Sequence, residues 1–320
     1  MSEFTPWHCF HCSILCISIT ATPTITRCVI MDTVPYLFCD AVVGRFAEID
    51  DILNQLESVN HSGFSNWKAA FRNHSANRCS FSFIIGFNNG TWSYTLRKRI
   101  GGYSFDFAYL QQLNPKYLQV SFVEFRFTGS HASYRQEIED IVRYIAPFAN
   151  LANLQCQNAT IGDADNAMML NYFQGTPFKD IYVFFHSRFY ENFLKANLRS
   201  TNCLKLIHVY GYDWSHEFKA ELQEFILKKP FQHVDCYNNN LQFDRSFFES
   251  VFEVNPTDTT VFFRGRFSFD FKSLEVFKKE LRDTSNDRQD EIVWRREDGV
   301  RVVVSQHTRC FSIKLFKSEN

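Results

Sequence analysis

The sequence has almost no net charge: 34 lysines and arginines stand against 35 aspartates and glutamates in 320 residues. No global field therefore draws it to nucleic acid or to an anionic membrane, and a partner has to be recognised by shape and local chemistry. No stretch approaches the roughly 20 apolar residues that span a bilayer. Catalytic signatures are missing too. Gly86 to Gly90 and Gly101-Gly102 lack the Lys-Ser/Thr of a phosphate loop and the spacing of a dinucleotide fingerprint. There is no Gly-x-Ser-x-Gly elbow and no His-Glu-x-x-His pair, and the 10 histidines are scattered. No catalytic residue, metal ligand or cofactor is expected. Asp163, Asp165 and His186 are the nearest candidates for an enzyme on an α/β sheet, and they follow no recognised pattern.

Residues 1–30 are nearly free of charge but hold Cys9, Cys12, Cys16 and Cys28. Glu3 is acidic and the apolar run Ser13 to Thr20 is short, unlike the basic start and long core of a secretory signal. His8, Cys9, His11, Cys12 and Cys16 lack the second spaced pair that closes a zinc site. The segment reads as an unstructured or artefactual extension, with Met31 opening the ordinary sequence. Of the 10 cysteines, Cys156, Cys203 and Cys236 fall in or beside apolar runs, where a reduced thiol serves as a small hydrophobe. That usage points to a reducing compartment, cytoplasmic or nuclear.

Phenylalanine is abundant, 36 of 320 residues. Apolar positions of the chain follow a period. Leu154, Ile181, Ile207, Val234 and Val261 stand 26 or 27 residues apart, and two residues after each comes Cys156, Val183, Val209, Cys236 or Phe263. Regular spacing of buried positions marks stacked αβ units that complete one another's core. Residues 131–266 then hold five such units, each a helix, a tight loop and a short strand.

The flanks read differently. Residues 31–78 show three-and-four apolar spacing broken near Asn60-His61-Ser62-Gly63, which predicts three short helices. In 79–130 the alternation of Phe81, Phe83, Ile85 and Phe87, a turn at Asn88-Asn89-Gly90, and Trp92, Tyr94 and Leu96 predict a β-hairpin. Further strands are expected at Tyr103 to Phe107 and Tyr117 to Phe127. Residues 267–320 give a helix around Phe271 to Phe277, then strands at Ile292 to Arg296, Val300 to Val304 and Phe311 to Phe316. This antiparallel cap closes the open edge of the repeats. The expected fold is α/β, an αβ solenoid with a helical N-terminal segment.

A period of 26 to 27 and the segments Leu151-Ala-Asn-Leu154-Gln-Cys156-Gln-Asn158 and Phe231-Gln-His-Val234-Asp-Cys236-Tyr-Asn238 resemble leucine-rich repeats, whose strands end in a ladder asparagine. Phe185 and Gly211 replace that asparagine in two copies, so an irregular version is expected. Alternation aims the residues one and three after each anchor away from the core. Those in the later copies are Tyr182, Phe184, His208, Tyr210, Asp235, Tyr237, Phe262 and Arg264; all but Asp235 form the expected target surface, being mostly types favoured at binding hot spots. Burial under the N-terminal or C-terminal strands is the other reading of these aromatics.

Val34-Pro35-Tyr36-Leu37, then Phe46, Asp50-Asp51-Ile52-Leu53 and Trp67, resemble an F-box, with a longer gap from Pro35 to Trp67 than that family shows. The chain from Met31 resembles the nematode-expanded F-box-like proteins. The resemblance implies that Val34, Pro35, Leu37, Phe46, Leu53 and Trp67 dock a Skp1-like adaptor, while the repeats hold an unknown protein target for a cullin-type ubiquitin ligase. The alternatives are an N-terminal cap on the repeats and a stand-alone scaffold with no ligase role.

Overall fold

The computed structural model describes residues 34–44, 46, 49–58, 64–88, 91–126, 131–156, 169–185, 187–200, 203–236, 238–256, 260–283, 290–308 and 310–317. The expectations for residues 1–30, for Asp163, Asp165 and His186, for Asn158, and for Tyr237 fall outside them. Two compact units divide the chain, Met1–Asn77 and Arg78–Asn320.

The first unit has the three expected helices, α1 (Tyr36–Val43), α2 (Ile49–Ser58) and α3 (Ser65–Asn77). Trp67, Ala70, Phe71 and His74 recur on one face of α3 at three-and-four spacing and are buried. They meet Cys39 and Val43 of α1 and Ile49 of α2 in a small core. One polar pair is buried there: His74 Nε2 lies 3.1 Å from Asp40 Oδ1.

The second unit is a mixed α/β structure around one open sheet of fourteen strands. The N-terminal strands are β1 (Cys79–Asn88), β2 (Thr91–Lys98), β3 (Ser104–Phe105), β4 (Leu118–Arg126) and β5 (His131–Ser133). The central ones are β6 (Asn153–Cys156), β7 (Asp180–Phe184), β8 (Leu206–Tyr210), β9 (His233–Asp235), β10 (Gln242–Phe243) and β11 (Val261–Phe267). The chain ends in β12 (Glu291–Arg295), β13 (Val300–Gln306) and β14 (Phe311–Lys317). Strands β4, β6, β7, β8, β9 and β11 lie side by side in chain order and all pair parallel. Antiparallel strands flank them, β1 with β2 at one side and β14, β13 and β12 at the other. The end strands thus cover the edge of β11, as the sequence led one to expect.

The helices of this unit whose bounds are described are α4 (Phe107–Gln112) and α5 (Arg135–Ile145), which come early, and α6 (Arg188–Ser200), α7 (His216–Lys228) and α8 (Arg245–Phe252), which lie among the parallel strands, α4 being the short one. Ile138, Ile141, Val142 and Ile145 of α5, Phe193 and Leu194 of α6, Phe218, Leu222 and Phe225 of α7, and Phe248 and Phe252 of α8 share one core with the strands. The strand contribution is a row of one apolar residue per strand: Phe83, Val123, Leu154, Ile181, Ile207, Val234, Phe263, Ile313, Val304 and Ile292. Each is at most 2% exposed, and each buried side chain of this size stabilises by about 1.5–3 kcal/mol.

Four expectations need correction. Val234 pairs with Phe263, so the fifth anchor is Phe263 and Val261 lies two residues early. Phe107 opens α4 instead of ending a strand, because the Asp106 side chain accepts from the Tyr109 N–H and caps a helix there. The segment Phe271–Val276 is a 3-10 helix, capped by Asp270. Asn238 is exposed, and the buried asparagine is its neighbour Asn239, which donates from Nδ2 to the Val209 carbonyl at 3.0 Å and accepts from the Leu241 N–H at 2.9 Å.

Candidate functional site

The sheet face turned away from these helices carries a second row, in register across Glu124, Gln155, Tyr182, His208, Asp235, Arg264 and Ser312. Beside it runs Asn153, Asp180, Leu206, His233 and Phe262. Parallel strands lie about 4.8 Å apart, close to the stacking distance of flat rings. Rings therefore stack from strand to strand: Tyr182 on His208 at 4.2 Å and 8°, His208 by His233 at 4.9 Å, and His233 on Phe262 at 4.5 Å. Phe184 and Tyr210 stack likewise at 5.1 Å.

A charged pair ends the row. Asp235 is 0% exposed. A carboxylate out of water needs full hydrogen bonding, and Arg264 supplies it: Nε donates to Oδ1 at 3.0 Å, and Nη2 contacts Oδ2. His208 Nδ1 lies 3.0 Å from the Tyr210 hydroxyl and 3.6 Å from Asp235 Oδ2. His233 Nε2 is buried and has no hydrogen-bond partner among the described residues. Burial pulls the His233 imidazole below its ordinary pKa, and positive charge at His208 and Arg264 acts the same way, against Asp235. Burial also raises the Tyr182 phenol. His208, His233 and Asp235 each offer one ligand atom, all within 4.8 Å of one another.

Six of the seven residues read from sequence as the target surface come together here: Tyr182, Phe184, His208, Tyr210, Phe262 and Arg264. All six are half-buried, because each ring covers the next. The N-terminal and C-terminal strands do not lie over them; they extend the sheet sideways through β1 and β14. His233 escaped the sequence reading, which took only the positions one and three after each anchor. The position one before shares that face, and applying the alternation backward would have found it. Asp235, expected on the open face, is closed in by its partners.

In the helical unit, Leu37 is 78% and Phe38 47% exposed, with Pro35 exposed beside them. Val34, Phe46 and Leu53 are half-buried. Trp67 is only 6% exposed and fills the unit's core, touching Phe38 edge-on at 6.4 Å. Phe38 had no place in the sequence reading. No protein-family model matches the chain, and neither the curated proteins nor the solved structures compared with it include a significant match.

Proposed function

We propose that the protein is a protein-binding module, a degenerate leucine-rich-repeat-like αβ solenoid acting as substrate receptor of a Skp1-cullin-type ubiquitin ligase. The observation that carries the binding part is the half-buried stack of Tyr182, His208, His233 and Phe262 ending at Arg264. Rigid aromatics and arginine on one face, with few groups to order on contact, are the composition of interface hot spots. Asn239 supports the repeat reading, since it joins the ends of neighbouring strands as ladder asparagines do. The adaptor part rests on Pro35, Leu37 and Phe38, apolar side chains exposed together at the start of α1. A receptor of this kind makes and breaks no bonds. It raises the effective concentration of target lysines near a bound conjugating enzyme.

Co-purification of the full chain with Skp1 tests the ligase part. Wild type binds, and Leu37→Asp abolishes binding while leaving the circular dichroism spectrum native, since a side chain this exposed contributes little to the core. Absence of binding by folded wild type removes the ligase role and leaves a repeat scaffold.

A further inference from the structure

We propose that His208, His233 and Asp235 form a site for one divalent transition-metal ion, zinc above all. The inference stands apart from the ligase reading and needs no partner protein. Its three side chains come from two neighbouring parallel strands, β8 and β9, with His208 directly opposite Asp235 and His233 two residues before it on the same face. Local strand geometry alone holds them together.

The distances suit an ion. Ligands at the usual 2.0–2.1 Å from a tetrahedral zinc stand about 3.4 Å from one another, and His208 Nδ1 is 3.6 Å from Asp235 Oδ2. The His233 ligand atom is within 4.8 Å of the other two, so a ring rotation of roughly 1 Å completes the set. Coordination uses the in-plane lone pair of each imidazole. The two imidazoles are stacked on each other at 24°, so binding tilts them apart, with their outer faces still turned to Tyr182 and Phe262.

The donor set also selects the ion. Two imidazoles and one carboxylate favour zinc and its first-row neighbours over calcium and magnesium, which take oxygen cages. Arg264 already bonds Asp235, but each carboxylate oxygen has two lone pairs. The guanidinium can remain as the outer partner that orients the ligand. Its positive charge weakens the site, so reversible binding is expected here, not a closed structural centre. The Tyr210 hydroxyl gives up His208 Nδ1 and turns to the solvent-side position of the ion. Finally, a buried imidazole nitrogen without a partner calls for an explanation, and coordination of His233 at Nε2 supplies one.

The test is titration of the chelator-stripped full chain with zinc by calorimetry and with cobalt(II) by absorption. One saturating equivalent is expected, with a cobalt spectrum free of sulfur-to-metal charge transfer. His208→Ala and the near-isosteric His233→Gln should each weaken binding by more than about 100-fold, since losing even an outer partner of a ligand costs roughly 10–100-fold. Circular dichroism verifies that each variant is folded. No saturable uptake by wild type overturns the site. So does undiminished binding in folded His208→Ala/His233→Gln, and a thiolate band would assign such binding to cysteine.

Discussion

His233 shows how a single residue's surroundings become a measurable property of the whole. Its ring is held between His208 and Phe262, close to Arg264, and its pKa lies below the ordinary imidazole value. Once the pH falls through about 6.5, the unfolded chain binds a proton at this position that the folded chain resists. Stability then decreases with falling pH, because the unfolded state holds more protons. Asp235 tempers the effect and the Arg264 guanidinium strengthens it. His233→Phe keeps the ring stack but removes the titration. In urea unfolding compared at about pH 7.5 and about pH 5.5, wild type should lose more stability than the variant. Equal losses would place the acid sensitivity elsewhere. Gly265 is another position where one atom decides the packing: a Cβ there meets the Phe263 ring at 2.9 Å and the Phe243 ring at 3.1 Å. Nothing in the sequence beyond a glycine among strand aromatics signals that closeness.

At the scale of elements, α6 and α7 are tied by one buried acid. Glu191 of α6 is 2% exposed and accepts from the Ser215 N–H at 3.0 Å and the Ser215 hydroxyl at 2.5 Å, while Arg188 donates to it at 2.5 Å. Ser215 in turn accepts from the Phe218 N–H and caps α7. Burial alone would raise the Glu191 pKa, but the bonds from Ser215 and Arg188 outweigh it and the carboxyl stays ionised below the usual range. Glu191→Ala therefore leaves the cap's donors with nothing to bond and should destabilise by about 1–3 kcal/mol in urea unfolding. A change under about 0.5 kcal/mol, the scale of an ordinary surface substitution, would mean that water replaces the acid. The elements themselves were largely legible. Spacing located β6, β7, β8 and β9 in register, since each anchor must reach the same core. It missed the fifth by two residues because Val261 and Phe263 are both apolar and point the same way. A slip of two leaves the buried face unchanged, and no pattern of hydrophobicity can report it. The aromatic row was legible through that same alternation, whereas Asp235 was read as exposed because burial of an acid depends on the Arg264 that reaches it from the next strand.

Among the described residues the two units carry separate cores, one centred on Val43, Trp67 and Phe71, the other on the apolar row of the sheet. For the larger unit, size favours autonomy, because a longer chain buries a greater share of its surface on folding. Its sheet is also ended on one side by β12 and β13, whose buried Ile292, Trp294, Val302 and Val304 extend the core past the last parallel strand. Residues 78–320 expressed alone should accordingly unfold in one cooperative transition, with the near-ultraviolet signal of fixed aromatic packing intact. They should also retain zinc binding at His208 and His233. Residues 1–77 would supply Leu37 and Phe38, and with them any adaptor binding, so the two activities should separate on cutting the chain at Asn77. A fragment that binds hydrophobic dyes and has lost its near-ultraviolet signal would be a collapsed state without fixed packing. In that case the sheet would need the helical residues to fold, and the helices would be part of the scaffold instead of a separate docking unit.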